Sequence, residues 1–162
     1  MMSLDTLVKP GHLPWRPRPE ASDLDVWHEY EVPLTGTFSL GRDLVLFTQI
    51  LESSQGLSAW AYTCLTPEEA DVAANVRFDS LDALRQFVED RFLGKEAVLT
   101  LARGDRTADH WTRVEVTENL ITAVEEFLNS IIRSVDEVAD TDRRVSAKLA
   151  GLEAAASELV DA

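Results

Sequence analysis

The chain has one cysteine and few glycines, and both shortages limit the chemistry available to it. Cys64 is the single cysteine among 162 residues, which excludes a disulfide within the chain and a zinc site built from cysteines. It lies on an apolar segment with Trp60 and Tyr62, without a basic neighbour to form a thiolate, so we expect a core position. The seven glycines form neither common phosphate-binding pattern, and no cofactor is expected.

Long apolar runs and positive charge are also scarce. No stretch approaches the roughly 18 apolar residues that a membrane helix needs, and no secretory signal opens the sequence, so we expect a cytoplasmic protein without membrane contact. The 15 basic residues are outnumbered by 29 acidic ones, for a formal net charge of −14. A field of this sign repels phosphate backbones, so no nucleic acid is expected as a partner, whereas a basic protein surface would be attracted.

Candidate catalytic and metal-binding groups are few and scattered. The histidines His12, His28 and His110 have no helical ligand spacing, so no metal site is expected unless the fold brings them together. The polar loop 103–110 places Asp109 beside His110, a combination suited to acid–base chemistry. Polar residues also collect in tight hairpins for conformational reasons, so this loop supports an enzyme only as an alternative.

Residues 1–23 are expected to form an irregular, locally basic arm. Four of the six prolines lie here, and they remove backbone donors and favour an extended path. Three interpretations of the arm are open: a disordered terminus, a segment lying back on the acidic body, or a short motif for a partner's groove. In the third case Trp15, Arg16 and Arg18 would bind the partner.

Residues 24–116 predict a compact α+β body. Up to Thr66 the apolar pattern has a period of two, and turn residues separate the segments, which favours an antiparallel meander of three or four strands. The first of these strands would carry one apolar face, formed by Val26, His28, Tyr30, Val32 and Leu34. The next two carry apolar residues on both faces, so helices are needed to cover them.

Two helices and a hairpin complete this body. Thr66 followed by Pro67 and two glutamates predicts one helix start, and Asp79 or Ser80 predicts another. The second helix would end at Gly94. Its apolar stripe consists of Leu81, Leu84, Phe87, Val88 and Phe92. Two further strand-like segments flank the loop 103–110, so the prediction is an antiparallel meander packed by one or two helices.

Residues 117–162 predict a long C-terminal helix with a heptad pattern. Eleven of twelve heptad positions are apolar. The pattern covers about six heptads, whereas three or four are usually enough to indicate a coiled coil. One series is Val124, Ile131, Val138, Val145, Leu152 and Leu159; the other is Ile121, Leu128, Val135, Asp142, Leu149 and Ala156. A helix of 40 residues would reach about 60 Å, so it either projects from the body or folds back near residue 140.

Asp142 is the polar exception in this heptad pattern. It follows a half-helix with a wide apolar stripe and precedes one whose stripe is narrow and rich in alanine. A buried Asp142 would fix the register of paired helices at some cost in stability. The neighbouring Asp140 and Thr141 are possible helix caps, which favours a kink or break at 139–143.

These patterns favour a non-enzymatic interaction protein. The C-terminal helix would self-associate as a homo-oligomer or dock on a partner protein, and its last 20 residues could otherwise be a solvated tail. The expected contact residues are Val138, Asp142, Val145, Leu149, Leu152, Ala156 and Leu159. One alternative is an acidic inhibitor, of the antitoxin or immunity type, that covers a basic site. The other is a small enzyme with a site near Asp109 and His110.

Overall fold

A computed structural model of the chain describes residues 13–16, 21–54, 56–103 and 108–146, with side chains described except at 108–109 and 134–146. The chain divides into two compact units, Met1–Val124 and Glu125–Ala162. The first unit contains a six-stranded antiparallel sheet and two complete helices. The predicted α+β class and the meander are therefore confirmed.

Consecutive strands are neighbours throughout the sheet, which is the arrangement that defines a meander. Its strands are β1 (Ser22–Tyr30), β2 (Val32–Leu40), β3 (Asp43–Glu52), β4 (Ser58–Leu65), β5 (Glu96–Ala102) and β6 (Ala108–Glu115). The helices α1 (Pro67–Asn75) and α2 (Leu81–Phe92) lie between β4 and β5, and α3 (Leu120–Ser146) follows β6. Strands β1 and β6 are the two edges.

The predicted single strand running from Val26 to Leu34 is wrong. Glu31 adopts a φ of 64° and reverses the chain, so that Tyr30 pairs with Val32 as the last rung between β1 and β2. The reversal leaves Tyr30 73% exposed. A side chain other than glycine rarely adopts a positive φ, and the alternating pattern therefore concealed this turn.

Trp27 of β1 packs in an aromatic cluster instead of lying on a polar strand face. Its ring lies 5.6 Å from Phe78 and 5.8 Å from Phe87, measured between centroids. The Arg91 guanidinium stacks over the Phe87 ring at 4.2 Å. Since Phe87 belongs to α2, this cluster holds the helix against the edge strand β1.

Strand β1 approaches β2 closely at Gly36. A Cβ atom at this position would lie 2.0 Å from the carbonyl oxygen of Asp25. The β1–β2 register is irregular on both sides of this contact, between Ser22 and Asp25 and between Val26 and His28. Glycine is therefore required here by the proximity of two backbones.

One face of the sheet carries an aromatic core. The register places Phe47 opposite Tyr62, and Tyr62 opposite Val98, so these side chains point to the same side. Phe38, Phe47, Trp60 and Tyr62 are all essentially inaccessible to solvent. Aromatic side chains of this size bury large areas, so this face contributes much of the hydrophobic stabilisation of the first unit.

The two helix starts predicted from the sequence are confirmed. Thr66 caps α1 in a reciprocal capping box: its Oγ1 accepts from the Glu69 N–H, and the Glu69 carboxylate accepts from the Thr66 N–H. Ser80 caps α2, with its Oγ accepting from the Ala83 N–H at 3.1 Å. Gly94 follows α2 with a φ of 77°.

Glu69 also forms an ion pair with Lys95, which immediately precedes β5. Burial alone would raise the pKa of Glu69, but the Lys95 ammonium and the Thr66 N–H stabilise its carboxylate, and the pKa lies below its ordinary value. The pair thus joins the first turn of α1 to the start of β5.

Replacing Glu69 with glutamine should lower the free energy of unfolding at neutral pH by about 0.5–1 kcal/mol. Glutamine keeps an acceptor for the Thr66 N–H, so the capping box survives and the charge alone is lost. Because the folded-state pKa is lowered, the charge stabilises the fold above the unfolded-state pKa, and this contribution disappears as the pH falls through the folded-state value. Urea unfolding should show a difference from wild type that shrinks between pH 7 and pH 3; a constant difference would contradict this.

Helix α3 begins in the first unit and extends into the second. The Asn119 Oδ1 accepts from the Thr122 N–H at 2.8 Å, and the Glu89 carboxylate of α2 accepts from the Leu120 N–H at 3.2 Å. Both contacts satisfy N–H groups that a helix start leaves without intrahelical partners. Within the first unit, Leu120 and Val124 are buried.

Candidate functional site

The predicted interaction helix is described as far as Ser146. Its backbone is helical from Leu120 through residues 139–143, where the sequence favours a break. Val138, Asp142 and Val145 lie on this described backbone, but their side chains are outside the described part. The remaining predicted contact residues, Leu149, Leu152, Ala156 and Leu159, are also outside the described residues. The break and the contacts both stay predictions.

Several apolar side chains of α3 are accessible to solvent. In the first unit, Ile121 is 51% exposed. In the second unit, Ile132 is 56% exposed, and Leu128 and Ile131 are half-buried. Isolated apolar residues are ordinary on a protein surface, but these belong to or adjoin the heptad series. The second unit therefore presents an apolar surface on a helix.

Trp15 of the N-terminal arm lies against the sheet. It is 8% exposed, and its ring centroid is 6.2 Å from that of Trp60. Arg16 donates from Nη2 to the Ala21 carbonyl oxygen at 2.8 Å, and it forms an isolated antiparallel bridge with Leu13. Arg18 is outside the described residues. The arm as a partner-binding motif stays a prediction, and Trp15 would have to leave Trp60 to serve it.

The two residues considered for acid–base chemistry, Asp109 and His110, are adjacent on β6, and only the His110 side chain is described. His110 is an exposed residue of β6 and pairs with Leu101. Asp109 lies on the same strand, and its side chain is not described. His28 lies on β1, at the opposite edge of the sheet. The enzyme alternative near Asp109 and His110 therefore stays a prediction.

Cys64 is half-buried and packs against the aromatic core of the sheet. Burial raises the pKa of its thiol to about 11, with a further increase from the Asp43 carboxylate that outweighs the opposing Lys95 ammonium. A thiolate, which is the reactive form of cysteine, is therefore rare at neutral pH.

Modification of Cys64 by a thiol-specific disulfide reagent at pH 8 should be roughly 100-fold slower in the folded protein than in urea. The folded thiol is mostly protonated at this pH, whereas an unfolded cysteine has a pKa of about 8.5 and is partly ionised. The release of chromophore measures both rates. Folded and unfolded rates within a factor of three would contradict the burial of this side chain.

A cleft in the first unit is bounded by described residues of both helices and sheet. It has a volume of about 320 Å³ and lies between α2, the first residues of α3, and strands β1 to β3. We refer to it as the α2 cleft. Its lining residues are His28, Leu34, Thr35, Thr48, Gln49, Ile50, Leu81, Leu84, Arg85, Val88, Glu89, Leu120 and Ile121.

Strand irregularities shape the sheet side of the α2 cleft. The β3–β4 register shifts between Gln49 and Leu51, so Ile50 is the extra residue of a bulge. Gln49 and Ile50 both line the cleft, although consecutive residues of a regular strand point to opposite faces. The β1–β2 register also shifts on both sides of His28. Sequence periodicity cannot reveal such shifts, and the cleft was not predicted.

Other classes of site are not supported by the described residues. Within this part of the chain, no group of three or more His, Cys, Asp or Glu side chains is arranged to hold a metal ion. None of the described helices has both the length and the apolar character required to cross a bilayer. Comparisons with protein-family models, with curated proteins and with solved structures find no match to this chain.

Proposed function

We propose that the protein is a cytoplasmic, non-enzymatic interaction protein that associates through its C-terminal helix. Either the heptad positions of two or more chains pack together in a homo-oligomer, or the helix docks on a partner protein. The contact residues are those of the heptad pattern beyond α3's first turns: Val138, Asp142, Val145, Leu149, Leu152, Ala156 and Leu159.

The observation that supports this proposal is the apolar surface at the described heptad positions of the second unit. Leu128 and Ile131 are half-buried there, and the adjoining Ile132 is 56% exposed. Moving a fully exposed aliphatic side chain out of water contributes about 1.5–3 kcal/mol. Several such side chains in a continuous heptad pattern can offset the entropy lost when chains associate, which is several kcal/mol. Ala155, which adjoins the heptad position Ala156, would permit close approach of a second helix.

The heptad positions can be tested against matched positions on the opposite side of the helix. In the double variant Val145→Gln and Leu152→Gln, two apolar contacts are replaced by amides. In the control, Ala147→Gln and Ala154→Gln place the same side chain two residues further along, outside the heptad series. Sedimentation equilibrium should show a dissociation constant at least tenfold higher for the first variant than for wild type.

The control variant should associate like the wild type, because its amides face solvent in a paired helix. Circular dichroism on both variants reports whether the helix itself is retained. Equal association of wild type and both variants would show that the heptad positions do not form the contact. Self-association would then have to be abandoned as the function of this helix.

A further inference from the structure

The α2 cleft has an apolar wall that is accessible to solvent. Leu84, Val88 and Leu120 belong to this lining and are almost fully buried, whereas Leu81 is 41% exposed and Ile121 is also accessible. Because Leu81 belongs to α2 and Ile121 to α3, the apolar surface continues across two elements. Apolar surfaces inside a concavity are the usual contact area for small ligands.

The sheet side of the cleft contains a pair of buried hydroxyl groups. The Oγ1 atoms of Thr35 and Thr48 are 2.9 Å apart, and both side chains are buried. One hydroxyl donates to the other, which leaves the second with a hydrogen available for another acceptor. A ligand oxygen in the cleft would accept a hydrogen bond from this second hydroxyl.

Positive charge is available to a ligand at the same place. Arg85 is exposed on α2 and forms no ion pair with any residue that the structure describes. Glu89, one turn further along α2, already accepts a hydrogen bond from the Leu120 N–H. The lining thus carries one guanidinium and one carboxylate, and no described residue forms an ion pair with the Arg85 guanidinium. Arg85 is therefore the group available to pair with the carboxylate of a ligand.

The volume of the cleft restricts the size of such a ligand. Small-molecule sites cover roughly 300–1,000 Å³, so 320 Å³ lies at the small end of this range. At about 30 Å³ for each water molecule of liquid, the cleft has room for roughly ten non-hydrogen atoms. A medium-length aliphatic acid has this size.

From these observations we propose that the α2 cleft binds a small amphipathic carboxylate. The apolar body contacts Leu81, Leu84, Val88 and Ile121, and the carboxylate pairs with Arg85. The Thr35–Thr48 pair donates its remaining hydrogen to the ligand, and the β3 bulge directs Gln49 and Ile50 toward it. This site is separate from the C-terminal contact residues, and its occupancy does not depend on self-association.

Titration of the full chain with octanoate, followed in ¹H–¹⁵N correlation spectra, tests the proposal. Octanoate should produce saturable shifts at the amides of residues lining the cleft, with a dissociation constant in the millimolar range or below. The matched probe 1-octanol has the same body without the carboxylate, and it should bind at least fivefold more weakly. Absence of saturable shifts with octanoate, or equal binding of the two probes, would overturn the proposal.

Two pairs of variants locate the ligand in the cleft. Arg85→Gln should weaken octanoate binding about tenfold, whereas Arg77→Gln removes the same charge from an exposed residue outside the cleft and should leave binding unchanged. Leu81→Trp should block the opening, whereas Val72→Trp places the same ring on exposed α1. If both members of either pair behave alike while their spectra remain those of a folded protein, octanoate does not occupy this cleft.

Discussion

Replacing Trp60 with alanine should lower the free energy of unfolding by about 3–5 kcal/mol, which is the usual cost of removing a large aromatic side chain from a core. Trp60 is 1% exposed, and its ring packs between those of Trp15 and Phe47, at centroid distances of 6.2 and 6.4 Å. Its Nε1 also donates to the Ser58 Oγ at 2.8 Å. Alanine would leave a cavity and remove contacts to both rings.

The control for this change is Trp60→Phe, which keeps an aromatic ring at the same place on β4. We expect a loss of about 1–2 kcal/mol, since the smaller ring leaves a smaller cavity. Urea denaturation followed by far-ultraviolet circular dichroism measures both variants without relying on tryptophan fluorescence. A cost for Trp60→Ala no larger than that for Trp60→Phe would mean that the side chain is not in the aromatic core.

Replacing Gly36 with alanine should destabilise the fold by about 3 kcal/mol, because the new Cβ atom would overlap a backbone atom. The Asp25 carbonyl oxygen would lie 2.0 Å from that Cβ, and relief requires β1 to move away from β2. The effect is unusual for a strand position, where glycine is ordinarily less favourable than alanine.

Gly41 provides the matched control for Gly36. It has a φ of 63°, and a Cβ atom there would meet nothing within 4 Å, so Gly41→Ala tests conformational strain without a steric clash. The cost of a left-handed conformation for alanine is about 1 kcal/mol. Urea unfolding of both variants distinguishes the two causes. Equal destabilisation would show that the close approach of β1 and β2 is absent in solution.

The elements that the sequence predicts well are those with local signals. Thr66 before Pro67, and Ser80 before the apolar stripe of α2, define helix starts through hydrogen bonds that reach only three residues along the chain. Gly94 after α2 adopts the positive φ expected of a helix-terminating glycine. Such features need no knowledge of distant residues.

The features that the sequence does not predict depend on distant contacts. Glu31 forms a turn that its alternating neighbours conceal, and Trp15 packs on Trp60, which lies 45 positions later in the sequence. The α2 cleft requires α2, the start of α3 and a bulge at Ile50 to meet in one place. A single sequence contains no signal for contacts between distant elements. The bulge also interrupts the period of two by which a strand face is recognised, so the residues that line the cleft do not form a regular pattern.

Association of the C-terminal helix can be measured by light scattering on two versions of the protein. The full chain and a version ending at Asp140 share the entire first unit and differ in the later heptad positions. We expect the full chain to have a mass at least twice that of one polypeptide and the shortened version to be a monomer. Two monomers, with no protein that co-purifies through the removed segment, would contradict it.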